Sequence, residues 1–535
     1  MTIKLFFHGA ARTVTGSCYV IDNGVRRVMV DCGMFQGSKS ESELNYREFP
    51  FSPSSIDALL LTHAHIDHSG LIPKLVKHGF RGSVFATEAT ADLCSIMLPD
   101  SAHVQETEVR QLNERNRHRG RPLVQPIYGM ADAEAAVKRF SIVRYHQWLE
   151  PVEGVRARYW NAGHLLGSAS IEIEVAQNAS EPLRLLFSGD IGPAFKLLQP
   201  DPEAPSGLDY VLCEATYGAT DRPEKNDIER RQQLALEVRE AARRGGAMLI
   251  PSFAVERTQE LVTDLAILID AGVLPQFPLF IDSPLAFHAT RFFNKYASSL
   301  DNGDKLLKAF NSPAVRLMET VEDSKSLNRL VGFHAVIAAA GMCEAGRIRH
   351  HLRNRLWQPN TTVLLASFQA KGTLGRLLAD GADRVRIHGE EIKVRASIRR
   401  IDEYSGHADG PELHAWLKAR LPVRRGIFFV HGEDAGMDGL TERIAGNIIA
   451  HDRIFRPALD DAYDLAEPKP VLVPPETPRR LPPAAVGHLD WHNELTKLIL
   501  DINDEVAKAP DEKSRAVILR RLRRALVGGE HTVSS

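Results

Sequence analysis

No two cysteines in this chain stand at a metal- or redox-type spacing. The five present, Cys18, Cys32, Cys94, Cys213 and Cys343, are scattered and odd in number over 535 residues. That excludes a disulfide framework and fits a reducing compartment. Long apolar runs are missing too. None approaches the roughly 20 residues of a membrane span, and residues 1–7 are too short an apolar run for a secretory signal. A soluble cytoplasmic protein with no membrane partner is therefore expected. An excess of charge of one sign is also absent. The 66 Lys and Arg against 68 Asp and Glu leave a net charge of −2, so no global basic field advertises nucleic acid. Any such partner has to be held by a local patch. No internal repeat is seen. What is present is a globular composition, 44% hydrophobic and 25% charged. The chain is too long for one ordinary core, so two or three domains are expected.

Up to about residue 200 the pattern is mostly short strands, at 3–7, 18–21, 27–30, 58–61, 83–86, 171–175 and 183–187, with helices near 72–78 and 88–98. From Asp227 the texture becomes strand–helix alternation. Helices are predicted at 228–242 and 255–268, and strands at 247–250, 279–281, 335–339 and 362–366. This suggests a parallel α/β unit. A helix at 411–421, a strand at 426–430 and a helix at 440–450 follow. Residues 468–483, PKPVLVPPETPRRLPP, read as a stiff linker. Beyond it lie two helical stripes. One is Trp491, Leu495, Leu498, Ile499, Ile502 and Val506; the other is Ile518, Leu522 and Leu526, on a helix rich in arginine.

The chemistry concentrates in residues 61–70, LTHAHIDHSG. A short apolar strand pattern precedes this cluster and a helical pattern follows it, so it sits on a strand-to-helix turn. In His63-x-His65-x-Asp67-His68 the alternate histidines can converge on one metal, while Asp67 and His68 point elsewhere and can hold a second. Imidazole and carboxylate are the usual ligands of catalytic zinc, which keeps a position open for water. Further candidates stand at strand ends: Asp31 in RVMVDCGMFQG, His164 in WNAGHLLGSASIEIE and Asp190 in LLFSGDIGP. Each alone is weak, since an aspartate before glycine is more often a turn former. Together they form an ordered set.

That set resembles the metallo-β-lactamase fold. The later motifs narrow the resemblance: YVLCEATYGAT with Glu214, PSFAVERTQEL at 251–261, DSPLA, AGMCEAGRIRHHL, ASFQAKGTLGRLL, YSGHADG with His407 and FFVHGED with His431. Over about residues 1–460 the series is similar to the β-CASP family of RNA-processing nucleases, which includes the pre-mRNA 3′-end endonuclease and bacterial and archaeal relatives. Glu214, His407 and His431 match its three family-specific positions. Histidine at the third goes with the RNA-cleaving members. Ala215 stands where serine is commoner, and Gly406 where alanine is commoner.

The resemblance implies an α/β protein: an αββα sandwich with an inserted β-CASP α/β cap domain and a C-terminal helical extension. The implied division is 1–215 and 401–465 for the sandwich, 216–400 for the cap, and 466–535 for a proline-rich linker and helical extension. It implies two zinc ions per chain, held by His63, His65, Asp67, His68, His164, Asp190 and His431, with Asp190 bridging and Asp31 orienting a ligand histidine. It implies hydrolysis of RNA by a metal-bound hydroxide, endonucleolytic and compatible with 5′ exonuclease activity. Asp67 would receive the water proton. His407, hydrogen-bonded to Glu214, would protonate the leaving ribose oxygen. The expected partner is single-stranded RNA, with homo-oligomerisation through the C-terminal extension.

Substrate contacts are expected at two strand-to-helix turns, one with Ser252, Arg257 and Thr258, the other with Lys371, Gly372 and Thr373. Arg347, Arg349 and Arg353 read equally as a basic groove or a solvated helix face. Two other functions are compatible with the metal-ligand pattern alone. A small-molecule thioester or lactam hydrolase of the same fold does not need a long insert over its site. A non-catalytic RNA-binding scaffold would be expected to have lost ligands, and here every position is filled.

Overall fold

The computed structural model describes residues 2–177, 180–222, 226–367, 369, 372–401, 404–474, 478–482, 486, 495, 498–499, 501–502, 505–506 and 508–528. The chain divides into two compact units, Met1–Gly487 and His488–Ser535.

Two sheets form the centre of the first unit. An 8-stranded sheet runs in the order Val471–Val473, Asp461–Asp464, Lys4–Phe7, Tyr19–Asp22, Arg27–Val30, Ala58–Leu60, Ser83–Thr87 and Phe140–Val143. A 7-stranded sheet runs Ile454–Phe455, Val423–Val430, Leu208–Glu214, Ser180–Phe187, Ala169–Gln177, Val155–Asn161 and Trp148–Val152. Strand periodicity decides what each face meets, because successive side chains point opposite ways. Leu60, Leu212 and Phe428 enter the core between the sheets with Phe7, Val30, Ile171 and Leu185. Their neighbours face outward. Leu59 packs with Leu75 and Leu93 of the helices Ile72–Lys77 and Glu88–His118. Val211 and Phe429 pack with Leu413, Leu417 and Leu440 of the helices Gly410–Lys418 and Asp434–Ile444. The result is the four-layer αββα sandwich.

A 6-stranded sheet sits between the two passes of the chain through the sandwich. Its order is Val315–Leu317, Leu279–Asp282, His334–Ala338, Ala247–Pro251, Thr362–Leu365 and Ser397–Arg400, and every pairing is parallel. Parallel sheets need cover on both faces. Met248, Ile250 and Ile337 meet Leu234, Leu261 and Leu265 on one side. Leu249 and Val336 meet Ile348, Leu352 and Leu378 on the other. The chain leaves the sandwich after Leu208–Glu214 and returns as Val423–Val430, laid parallel beside it.

Several elements differ from the sequence expectation. The helix predicted at 88–98 runs on to His118, through Pro99. Proline removes one donor, but Leu93, Met97, Leu98 and Ala102 stay buried on both sides of it, so packing carries the helix past the gap. Strands Phe140–Val143, Trp148–Val152, Val155–Asn161 and Leu208–Glu214 were not predicted. The proline-dense segment is not a linker. Val471–Val473 pairs antiparallel with Asp461–Asp464 at the sheet edge, where flanking prolines are tolerated. Arg480 binds Asp460 (2.9 Å), and Leu481 and Val486 join a small cluster with Phe35, Leu44 and Leu459. In the second unit a helix spans Glu512–Gly528, with Ile518 and Leu522 half-buried. Leu495 and Leu498 are exposed, and Trp491 lies outside the described residues.

Candidate metal centre

The His63–His68 turn follows strand Ala58–Leu60 and opens the short helix Ile66–Ser69, with His65 as its N-cap. Neighbouring backbone locks it. Ser17 N–H donates to Asp67 O (2.8 Å) and Cys32 N–H to His68 O (2.7 Å). The Ser69 hydroxyl donates to Ala64 O (2.9 Å). Gly33 is required here, because a Cβ on it would lie 1.6 Å from Asp67 O. At the end of strand Arg27–Val30, Asp31 takes a left-handed φ of 57°. Its carboxylate accepts from Thr62 N–H (2.8 Å) and the Thr62 hydroxyl (2.8 Å) and meets His68 Nδ1 at 2.7 Å. That leaves His68 Nε2 facing Asp190 Oδ1 at 3.2 Å.

The remaining donors arrive from distant segments and fall into groups. In one, His63 Nε2 and His164 Nε2 stand 3.2 Å and 3.1 Å from His65 Nδ1, and both lie 3.5 Å from Asp190 Oδ2. In the other, His431 lies 3.5 Å from Asp67 Oδ2 and 3.6 Å from Asp190 Oδ1. The ligand-type atoms of His63, His65, His164 and Asp190 lie within 4.8 Å of one another, as do those of Asp67, His68 and His431. Asp190 thus turns one oxygen to each group. His431, like Asp31, is a non-glycine residue at positive φ (46°), a strain that clusters where the surrounding structure over-determines the backbone.

The donor set fits a divalent cation. Asp190 Oδ1 and His431 Nε2 are buried with no hydrogen-bond partner among the described residues. Such orphaned polar atoms are costly unless something binds them. Burial, with neighbouring histidines adding to it, holds His63 well below the ordinary imidazole range. Burial likewise lowers His164 well below that range and brings His65 down to about 4. Neutral imidazoles are what a metal requires. For Asp190, burial pushes upward, but His431 and His68 outweigh it and keep the carboxyl ionised.

His407 stands beside both groups. Its Nδ1 lies 3.1 Å from each oxygen of the fully buried Glu214, and its Nε2 lies 3.9 Å from Asp190 Oδ2. Glu214 Oε1 also accepts from Ile191 N–H (2.6 Å). Next to His407, Gly406 O meets His164 Nδ1 at 2.6 Å. A Cβ on Gly406 would sit 3.0 Å from His164 Cε1, so glycine relieves crowding where alanine is commoner.

The expected substrate contacts fare differently. Ser252 and Thr258 are buried, and their hydroxyls serve the turn itself: Thr258 donates to Phe253 O (2.7 Å), and its oxygen lies 3.1 Å from Ser252 Oγ. Arg257 is buried against Ala366 O (3.4 Å) and Glu260 (3.8 Å). All three lie inside, at the start of the helix Arg257–Asp270, whose first turn is buried. Thr373 is buried and caps the helix Leu374–Ala379, next to Gly372 at φ 84°. Lys371 lies outside the described residues. Arg347 is held by Asp282 (2.6 Å) and Arg353 by Glu390 (2.5 Å), which removes both from a free basic groove.

The sequence reading missed several supports. The Thr216 hydroxyl meets His431 Nδ1 (3.0 Å), and the Phe253 ring stands 5.9 Å from that of His65. Lys196 donates to His164 O and pairs with Glu256 (3.5 Å). Glu256 in turn accepts from Leu166 N–H and Gln199 (3.0 Å each). Lys196 and Glu256 carry no local signal. Thr216 could have been suspected from its place two residues after Glu214.

Comparison with known proteins agrees with this geometry. The metallo-β-lactamase superfamily matches residues 11–232, the Beta-Casp domain 258–378, and the Zn-dependent metallo-hydrolase RNA specificity domain 391–451. Ribonuclease TTHA0252 of Thermus thermophilus is 37% identical over 445 residues, covering 82% of this chain and 95% of that protein. The RNase J-like protein of Methanocaldococcus jannaschii is 28% identical over 435 residues, 81% of this chain and 93% of that one. Cleavage and polyadenylation specificity factor 73 of Drosophila melanogaster is 26% identical over 438 residues, 81% of this chain and 60% of that one. With the αββα sandwich, the parallel-sheet insert and a donor set fitted to divalent metal, this chain belongs to the β-CASP family of metallo-β-lactamase-fold proteins.

Proposed function

We propose that the protein is a zinc-dependent ribonuclease that hydrolyses phosphodiester bonds of single-stranded RNA, cutting internally, with 5′ exonucleolytic trimming as a second mode. One arrangement carries this reading: two donor groups joined through Asp190, with His407 oriented beside them by Glu214. The names of the relatives, which include ribonucleases and a pre-mRNA cleavage factor, support RNA as substrate. On this reading His63, His65, His164 and Asp190 would hold one ion, and Asp67, His68, His431 and Asp190 the other. Such ions would supply acidification of the attacking water and charge neutralisation at the phosphate.

The chain's own residues then divide the proton work. Asp67, partly exposed beside His431, takes a proton from the attacking water. His407, fixed through Nδ1 by Glu214, gives one from Nε2 to the leaving ribose oxygen. The insert, taken as residues 216–400, forms the cap. The five cysteines, all free and buried, suit the reducing cytoplasm, and no helix among the described residues is long and apolar enough to cross a membrane.

A small-molecule hydrolase remains the second reading of the same centre, and a cap of this size argues against it. A filled donor set argues against a scaffold. Incubating end-labelled single-stranded RNA and DNA with the protein, with and without chelator, tests the proposal. Metal-dependent cleavage of RNA in preference to DNA is expected. RNA left intact in the presence of zinc refutes it.

A further inference from the structure

The long helix Glu88–His118 ends in a feature that the metal centre does not use. Residues 109–122 read VRQLNERNRHRGRP, with Arg110, Arg115, Arg117, Arg119 and Arg121 against the single acid Glu114, in a chain whose net charge is −2. All five arginines are exposed. Among the described residues none of them forms an ion pair; Arg115 alone spends its Nε, on Gln111 O (3.3 Å).

Cations at a helix C-terminus often serve only to offset the helix dipole or bond its last carbonyls. Here side-chain amides do the structural work. Asn113 donates to Val124 O and accepts from Val124 N–H (2.8 Å each). Asn116, itself buried, donates its side-chain amide to Pro122 O (2.9 Å), and its backbone carbonyl accepts from Arg119 and Arg121 N–H (3.0 Å and 2.9 Å). The return loop is clamped to the helix by asparagines, with Gly120 at φ 61° making the turn. The guanidiniums are left outward and unpaired.

The other end of the same helix lies at the centre. Thr87 and Thr90 donate to Gly167 O, three residues after His164. Lys295 and Tyr296 of the cap bind Glu88 and Asp92 on its first turns. The helix therefore leads outward from the seam between sandwich and cap. At 1.5 Å per residue, Arg110 to Arg117 lie roughly 30–40 Å along it from Thr90, and Arg119 and Arg121 sit on the turn at its end.

We propose that this helix tip is an anchor for the phosphate backbone of RNA that extends beyond the cleavage site. The inference rests on the ribonuclease reading for its partner. Guanidinium is suited to phosphate, and unpaired exposed arginines supply counterion release without desolvating an existing pair. A strand at stacked spacing, about 3.4 Å per phosphate, needs roughly ten nucleotides to reach the tip. The anchor thus favours long substrates and ignores short ones.

The test replaces Arg110, Arg117, Arg119 and Arg121 with glutamine in the full chain. Fluorescence anisotropy then measures binding of a long and a short single-stranded RNA across a salt series, alongside cleavage of both. For long RNA the slope of log K against log salt should lose up to about 3, at about 0.7 per phosphate contact. Binding and cleavage of the short RNA should be unchanged. An unaltered slope for long RNA overturns the proposal, and so does an equal loss on both lengths. Long RNA bound with the expected slope but uncut by the unmodified protein supports the anchor and removes the nuclease reading. RNA neither bound nor cut removes both.

Discussion

Exchanging Lys196 for methionine breaks a buried ion pair that joins the cap to the loop carrying His164. The Nζ of Lys196 stands 3.5 Å from Glu256 Oε1, with both side chains only 4% exposed, and it also donates to His164 O. Glu256 reaches this position through an unusual backbone, φ 70° and ψ −65°, with Arg257 N–H bonded back to Val255 O at 3.0 Å. That is the strained hand of the γ-turn, rare for a residue with a side chain. Removing one partner of a buried pair costs roughly 3–5 kcal/mol, since the other charge is left uncompensated. Gln199 and Leu166 N–H stay on the carboxylate, so the lower end, about 3 kcal/mol, is expected for Lys196→Met. Glu256→Gln should cost a similar amount by stranding Lys196. The double variant strands neither charge, so its loss should fall short of the sum by about 2 kcal/mol, within the usual range for contacting groups.

Urea unfolding midpoints at constant slope measure all three. Because Lys196 and Glu256 hold the backbone that directly follows the His164 side chain, at His164 O and Leu166 N–H, each single variant should also weaken metal binding, by roughly 10–100-fold, in competition with a chelator. Single losses below about 1 kcal/mol, or a double variant equal to the sum, would refute the strut. Lower stability with unchanged metal affinity would confine it to holding the cap.

Other perturbations separate the remaining roles. Asp190→Ala should remove or scramble both metals, and two fully occupied ions by elemental analysis would rule out the bridge. His407→Ala should keep metal content and slow RNA cleavage by roughly 10²–10⁴, with a smaller deficit on a nitrophenyl phosphodiester whose leaving group needs no proton. His431→Ala should instead lose one metal and fail on both substrates; equal loss on both for His407→Ala would show that His407 is not the acid. Asp460 illustrates pH dependence away from the centre. Burial raises its carboxyl, but His8 and Arg480 more than offset this and hold it below the ordinary 3.8. Its stabilisation is therefore full above that value and is lost progressively as pH falls below it and through the lowered folded value, and Asp460→Asn should flatten the acid limb of a stability–pH curve. A chain ending at residue 487 should keep cleavage of a short RNA and change its mass in solution, whereas ending at Glu467 should also destabilise the fold by removing the edge strand and Arg480.

Local pattern was enough for features that depend on chain neighbours. His63, His65, Asp67 and His68 share one strand-to-helix turn, so their convergence follows from the turn itself. The short continuous apolar runs at Ala58–Leu60 and Leu279–Asp282 announce buried strands, and the ordered motifs announce the family. Tertiary structure decided what depends on partners far along the chain. His164, Asp190, Glu214 and His431 meet because Ala169–Gln177, Ser180–Phe187, Leu208–Glu214 and Val423–Val430 lie side by side in one sheet and carry the loops at their ends to one edge, where His407 joins them through Glu214. Ser252 and Thr258 look like phosphate ligands in sequence, yet both are buried, with Thr258 donating to Phe253 O and its oxygen 3.1 Å from Ser252 Oγ. A proline-dense run became an edge strand, and a helix crossed Pro99, because pairing and burial outweighed the local cost of a missing N–H. Sequence spacing records which residues can share a turn or a face; only packing records which faces close on one another, and the second donor group, the His407–Glu214 pair and the Lys196–Glu256 strut all lie across such closures.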